Sequence, residues 1–284
     1  MKQLINYITS ELRGFFPEEE LHEIAYWIVE ESTGMTRTEI LFGCKDTKKI
    51  VNEQEIQHIL QKLRAHEPIQ YVFGHTQWMG LDLSVTPATL IPRPETAELV
   101  EWILQLADKT HPLKVLDIGT GSGCIALALK KHAPLWSVTG LDISPEALEV
   151  AQQNAISNHL EVNWLQADIL SPIAHNQLPI ANIIVSNPPY ICDSEKQDMQ
   201  ARVLDYEPHS ALFVPDDDPL LFYRQIAQLF SQKGEAEKGL LFFEINEAYG
   251  NEVCAMLRTM GYTDVQLKND MYGKPRMVFG TIAR

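Results

Sequence analysis

Cysteine is scarce and scattered in this chain. The four, Cys44, Cys124, Cys192 and Cys254, stand 80, 68 and 62 positions apart among 284 residues, so no close pair exists for a zinc site or a compact disulfide framework. They read as reduced thiols of a cytoplasmic protein. Long apolar runs are missing too. The longest uncharged stretch, Ile169 to Cys192, covers 24 residues but holds four prolines with His175, Asn176, Gln177, Asn182 and Asn187, which excludes a membrane helix. Near the start, Asn6, Ser10 and Glu11 interrupt the apolar residues too early for a signal peptide. Positive charge is in deficit: 23 Lys and Arg face 38 Asp and Glu, a formal net charge of −15. Residues 1–70, with 8 basic and 12 acidic side chains, share that sign. An acidic surface repels phosphate backbones, so stable nucleic-acid binding is not expected. His132, His159, His175 and His209 have no partners at ligand spacing, and no metal is expected.

What is present divides into two parts. Over residues 1–70 apolar side chains recur at helical spacing: Leu4, Ile5, Ile8 and Leu12, then Leu21, Ile24, Ala25 and Ile28 after Pro17, then Ile56, Ile59, Leu60 and Leu63 behind an Asn52–Glu55 capping-box spacing. This predicts a small helical bundle. Residues 71–90 turn to aromatic and β-type residues punctuated by Gly74 and Gly80, which predicts a hairpin linker. From there to 284, helices alternate with short apolar runs, among them Val115-Leu116, Ser137 to Leu141, Val162 to Leu165, Ile183 to Ser186 and Leu240 to Ile245. Such alternation predicts an α/β domain with a parallel sheet covered on both faces. The last two β runs, Val265 to Lys268 and Arg276 to Thr281, lie too close for a crossover helix and should form an antiparallel edge hairpin.

Two motifs sit where such a sheet binds ligands, at strand ends. The first is Asp117-Ile118-Gly119-Thr120-Gly121-Ser122-Gly123-Cys124, between a strand and a helix. Glycines permit a sharp turn and close approach, and the helix N-terminus offers free N–H groups, so a nucleotide-type ligand is implied. The dinucleotide spacing needs a glycine or alanine where this chain has Cys124, whereas three alternating glycines preceded by an acid resemble S-adenosylmethionine sites. Asp142 ends the next strand, where a carboxylate can accept both ribose hydroxyls. Asp168 and Ile169 follow the third strand and would flank the adenine. The second motif, Asn187-Pro188-Pro189-Tyr190, follows the apolar strand ending at Ser186. An amide or exocyclic amine nitrogen is delocalised and poorly nucleophilic. The Asn187 side-chain oxygen and the Pro188 carbonyl could accept its two hydrogens and aim it, while Tyr190 offers a face to the planar group. Glu244, at the end of a later strand, is a further candidate.

Together these motifs resemble class I amino-group methyltransferases, which act on DNA adenine, rRNA guanine or protein glutamine. Four stretches narrow the resemblance: Glu67 to Gly74, Leu90-Ile91-Pro92-Arg93-Pro94-Glu95-Thr96, Tyr206-Glu207-Pro208 with Ala211-Leu212, and Asp270 with Gly273 and Arg276. They are similar to the HemK/PrmC family. That resemblance implies a Rossmann-like methyltransferase sheet behind an N-terminal helical domain. It also implies methylation of the N5 amide nitrogen of the glutamine in the Gly-Gly-Gln motif of class I peptide-chain release factors, with S-adenosylmethionine as donor. It further implies cofactor contacts from Gly119 to Gly123, Asp142, Asp168, Ile169 and Asn187, and glutamine contacts from Asn187 to Tyr190. Arg93 and Glu95 would shape the pocket, and residues 1–70 would recognise the release factor. The chain departs from the family pattern at Cys192, where proline is usual, and at Phe213 to Leu220. A nucleic-acid amino-methyltransferase and a non-catalytic S-adenosylmethionine-binding protein are the alternatives; the acidic charge disfavours the first and an intact Asn-Pro-Pro-Tyr the second.

Overall fold

The computed structural model describes residues 1–42, 52–171, 178–233 and 238–283, so Cys44 and His175 lie outside the described residues. The chain separates into two compact units, 1–73 with 201–206 and 74–200 with 207–284.

The first unit is helical: α1 (Lys2–Leu12), α2 (Glu18–Thr33), α3 (Arg37–Phe42), α4 (Glu53–Arg64) and α5 (Ile69–Phe73). Its core is built from the helically spaced residues, with Ile8, Leu12, Leu21, Ile28, Leu60 and Leu63 fully buried. Each such side chain contributes roughly 1.5–3 kcal/mol. Asn52 caps α4, its Oδ1 accepting the backbone N–H groups of Gln54 and Glu55 at 3.2 and 3.4 Å. Helix α3 carries its own start signal, a capping box. Thr36 Oγ1 accepts the Glu39 N–H at 3.3 Å while Glu39 Oε2 accepts the Thr36 N–H at 2.8 Å. The expected hairpin at 71–90 is shorter than its sequence suggested. The Pro68 carbonyl accepts the N–H groups of Tyr71 and Val72 at 2.9 and 3.0 Å, so a helical turn occupies Ile69–Phe73 in spite of its β-type residues.

The second unit opens with the hairpin β1 (His75–Trp78) and β2 (Leu81–Ser84). Its two-residue turn, Met79-Gly80, has both φ values positive, as strand twist requires. There follow α6 (Pro94–Leu106), β3 (Lys114–Ile118), α7 (Cys124–His132), β4 (Ser137–Asp142), α8 (Pro145–Ser157), β5 (Asn163–Gln166), β6 (Ile183–Ser186) and β7 (Ile191–Cys192). Next is α9 (Ala201–Leu204), which groups with the first unit: there Arg202 pairs with Glu20 and the Tyr206 hydroxyl donates to the Ala65 carbonyl at 2.7 Å. The chain ends with α10 (His209–Leu212), β8 (Phe213–Val214), α11 (Leu221–Lys233), β9 (Lys238–Glu244), α12 (Gly250–Thr259), β10 (Thr263–Asn269) and β11 (Pro275–Ala283).

The described residues form a seven-stranded sheet of order β10-β11-β9-β6-β3-β4-β5. Strands β9, β6, β3, β4 and β5 run parallel, and β10–β11 is an antiparallel edge hairpin. Both faces are covered. Along the central strands Val115, Ile183, Val185 and Phe242 join one core cluster, and the alternate residues Leu116, Ile184, Leu241 and Phe243 join the other. The winding reverses between β3 and β6, and the crevice at such a switch point is where an open α/β sheet receives a ligand. The two departures from the family pattern meet: Cys192 of β7 lies opposite Val214 of β8 in a short parallel ladder.

Candidate functional site

The glycine loop leaves β3 at Ile118 and is tied at once to the neighbouring strand. The N–H groups of Gly119 and Thr120 both donate to the Leu141 carbonyl, at 2.8 and 2.9 Å. Gly119, Gly121 and Gly123 all adopt positive φ. At Gly123 a Cβ would also stand 2.9 Å from the Trp164 ring, so glycine is required for backbone and packing together. Beneath the loop Asp117 is fully buried, its Oδ2 accepting the Thr120 hydroxyl at 2.6 Å and the Ala126 N–H at 3.2 Å. Burial pushes its pKa up to about 7 even though both bonds favour the ionised form.

Asp142 closes β4. Its Oδ2 accepts the Gly121 N–H at 2.8 Å and its Oδ1 the Ser144 N–H at 3.0 Å, so the carboxylate holds the loop while each oxygen keeps an acceptor site. Beside it Ile143 is 58% exposed, a large apolar side chain on the wall of the crevice. Asp168 anchors the next turn by accepting the Leu170 N–H at 2.9 Å. Gly119 to Ser122, Asp142, Asp168, Ile169, Asn187, Pro188 and Pro189 line one crevice of the second unit. An acceptor-only carboxylate next to an uncovered apolar side chain suits a ribose diol joined to a flat base, so these residues fit an adenosine-bearing cofactor.

Not every expected residue faces that crevice. Arg93 lines it and pairs with the buried Glu207, whose other oxygen accepts the Ile91 N–H at 3.2 Å. Glu95 in the first turn of α6, Gly123 and Tyr190 are not among the lining residues. Tyr190 packs against the core and donates its hydroxyl to Glu244 Oε1 at 3.2 Å. Its backbone carbonyl accepts the Asn246 side-chain amide at 3.1 Å.

Asn187 reaches in the same direction. Its Nδ2 donates to Thr96 Oγ1 at 3.4 Å, and Thr96 donates to Glu244 Oε2 at 2.7 Å. Thr96 and Glu244 are 2% and 1% exposed. Burial raises the pKa of Glu244, opposed by the Thr96 hydroxyl, the Arg276 charge and the Tyr190 hydroxyl. Thr96 and Glu207 had been visible only as members of longer motifs, because nothing local to either residue gives it a role in the site.

The chain matches the family models described as methyltransferase small domain, over residues 99–207, and PrmC N-terminal domain, over residues 3–74. It is 42% identical over 272 residues to the release factor glutamine methyltransferase of Flavobacterium psychrophilum, covering 94% of each chain. It is 40% identical over 278 residues to that of Bacteroides thetaiotaomicron, covering 98% of this chain and 99% of the relative. The fold is also that of a methyltransferase from Pyrococcus furiosus, with TM-score 0.53 at 17% identity, covering 82% of this chain and 98% of that one.

Proposed function

Because this chain belongs to the release factor glutamine methyltransferase family, we propose that its switch-point crevice holds a release-factor glutamine, with Asn187 and Pro188 binding the two hydrogens of its side-chain amide. The protein is an S-adenosylmethionine-dependent methyltransferase acting on the N5 nitrogen of that glutamine. Bound there, the cofactor would supply a methyl group activated by a positively charged sulfur, with the neutral thioether as the leaving group.

The protein's own residues bind and aim. Asp142 takes the ribose hydroxyls with its remaining acceptor sites, Gly119 to Ser122 let backbone approach the cofactor, and Asp168 with Ile169 flanks the base. Asn187 Oδ1 and the Pro188 carbonyl each accept one amide hydrogen, which fixes the nitrogen lone pair on the methyl side. A methylated amide nitrogen loses its extra proton readily, so positioning rather than a strong base supplies most of the rate. Tyr190 acts from behind, holding Glu244. The Gly-Gly-Gln loop of class I release factors is the segment we assign to the crevice, and the first unit is the surface we assign to the rest of the factor.

The observation that carries this reading is that Asn187 and Pro188 line the same crevice as Asp142 and the glycine loop. Asn187→Ala should slow methyl transfer on the order of 10²–10³-fold, by analogy with removing one group from an oxyanion hole. Labelled methyl incorporation into a release factor measures it, with circular dichroism to establish the fold. A folded Asn187→Ala protein working at the wild-type rate removes the motif from the mechanism.

A further inference from the structure

We propose that Thr96 and Glu244 are positioning residues whose hydrogen-bond polarity decides which end of the Asn187 amide faces the substrate. The inference rests on the reading that Asn187 binds the glutamine amide. It starts from strand register: Ser186 of β6 lies beside Phe243 of the parallel β9, so the next residues, Asn187 and Glu244, emerge side by side at the carboxyl ends of neighbouring strands. Thr96, in the first turn of α6, stands between them.

A carboxylate can only accept. The single hydroxyl hydrogen of Thr96 is therefore committed to Glu244 Oε2 at 2.7 Å, and toward Asn187 the hydroxyl offers only lone pairs. The end of the Asn187 amide that satisfies those lone pairs is its NH₂, at 3.4 Å. Oδ1 is thereby left for the crevice, and an acceptor is what a substrate NH₂ needs. Tyr190 donates to Glu244 Oε1 at 3.2 Å, so the carboxylate receives two donors, an arrangement that matches its ionised form.

Protonation would reverse the chain. A neutral Glu244 can donate to Thr96 Oγ1, which frees the threonine hydrogen for Asn187 Oδ1 and turns the asparagine NH₂ toward the substrate NH₂, donor against donor. The groups acting on Glu244 are Thr96, Tyr190 and Arg276, which favour its charge, and Glu95, which opposes it; Tyr223 and Cys124 feel that charge in turn. Burial raises its pKa, so the reversal sets in at a higher pH than it would for an exposed glutamate and appears as a loss of rate as the pH falls.

Full-length Thr96→Val, Thr96→Ser, Glu244→Gln and Asn187→Ala proteins test this on an intact release factor. Thr96→Val keeps the shape and removes the hydroxyl. It should lower kcat on the order of 10–100-fold, the range for residues that orient a ligating side chain, with S-adenosylmethionine affinity unchanged. Thr96→Ser should restore the rate, which a packing role for the threonine methyl would not allow. Glu244→Gln, whose amide can donate or accept, should lower kcat at neutral pH and lose the acid limb shown by the wild type. Wild-type kcat in folded Thr96→Val, or an unchanged acid limb in Glu244→Gln, overturns the proposal; if Thr96→Val does not fold, the pH profile of Glu244→Gln decides. Asn187→Ala separates the two readings. A slow Asn187→Ala beside a fast Thr96→Val removes only the relay, and a fast Asn187→Ala removes the substrate assignment itself.

Discussion

Asp142 serves two partners with one carboxylate, since it holds the N–H groups of Gly121 and Ser144 while presenting acceptor sites to the crevice. Asp142→Ala should therefore weaken S-adenosylmethionine binding by roughly 1.5–3 kcal/mol, the range for a hydrogen bond to a charged group. Calorimetric titration reads it, and an unchanged dissociation constant in a folded variant would place the ribose elsewhere. Asp117 gives a prediction of a different kind. Folded, its carboxyl keeps its proton up to about pH 7; unfolded, it releases it near the ordinary value of 3.8. The unfolded chain thus gains relative stability as pH rises between those values, by about 4 kcal/mol at about 1.36 kcal/mol per unit. Asp117→Asn, which can still accept from Thr120 and Ala126, should become progressively more stable than wild type from pH 4 to pH 7 in denaturant titrations. A stability difference that does not change with pH would contradict it. At this scale the sequence showed which short motifs share one crevice, namely the alternating glycines, Asp142 and Asn187-Pro188. Glu244 is a candidate from its strand end and Thr96 from its motif, but the link between them was not legible, because they meet across 148 positions and Asn187 meets Thr96 across 91. Only sheet register and the entry of α6 bring them together.

Among the elements, the edge hairpin was visible from spacing alone, since about seven residues cannot hold a crossover helix. Its turn joins Asp270, Gly273 and Arg276 in one arrangement. Asp270 Oδ1 accepts the N–H groups of Tyr272 and Lys274 at 3.0 and 2.9 Å, its Oδ2 accepts Arg276 Nε at 3.1 Å, and Gly273 takes the positive φ. Arg276 in turn donates to the Ile245 carbonyl at 3.4 Å and favours the charge on Glu244. Asp270→Ala leaves two amides without their acceptor and Arg276 with only the Ile245 carbonyl and Glu247, and should destabilise the protein by about 1–3 kcal/mol, the cost of a buried group left unsatisfied. Asp270→Asn keeps an oxygen for the two amides and should lose distinctly less. Equal losses in chemical denaturation would mean that the ion pair, not the turn, carries the effect. Two elements were hard to read for physical reasons. Ile69–Phe73 is rich in β-type residues yet completes a helical turn on the Pro68 carbonyl, so local bonding overrode propensity. Helix α3 spans only six residues, too few to show a period, and its signal was the Thr36–Glu39 box.

At the scale of the whole molecule, composition and alternation were enough to separate a helical part from an α/β part. They could not show that residues 201–206, far along the chain, group with the first unit through Arg202–Glu20 and Tyr206–Ala65. The division has a functional consequence. Every residue assigned here to cofactor or amide binding lies in the second unit, whereas the match to the PrmC N-terminal domain lies in the first. If the first unit recognises the body of the release factor and the second performs the transfer, removing residues 1–73 should separate binding energy from chemistry. Contacts remote from the reacting centre raise the effective concentration of the glutamine without changing how its amide is aimed. The shortened chain, with its fold checked by circular dichroism, should bind S-adenosylmethionine as the full chain does. It should also methylate a short Gly-Gly-Gln peptide at the full chain's rate on that peptide. On the intact release factor it should be much slower, its preference for protein over peptide gone. Full activity on the intact factor would exclude the first unit as the docking surface, and loss of peptide methylation in a folded, cofactor-binding protein would mean that the first unit takes part in aiming the amide.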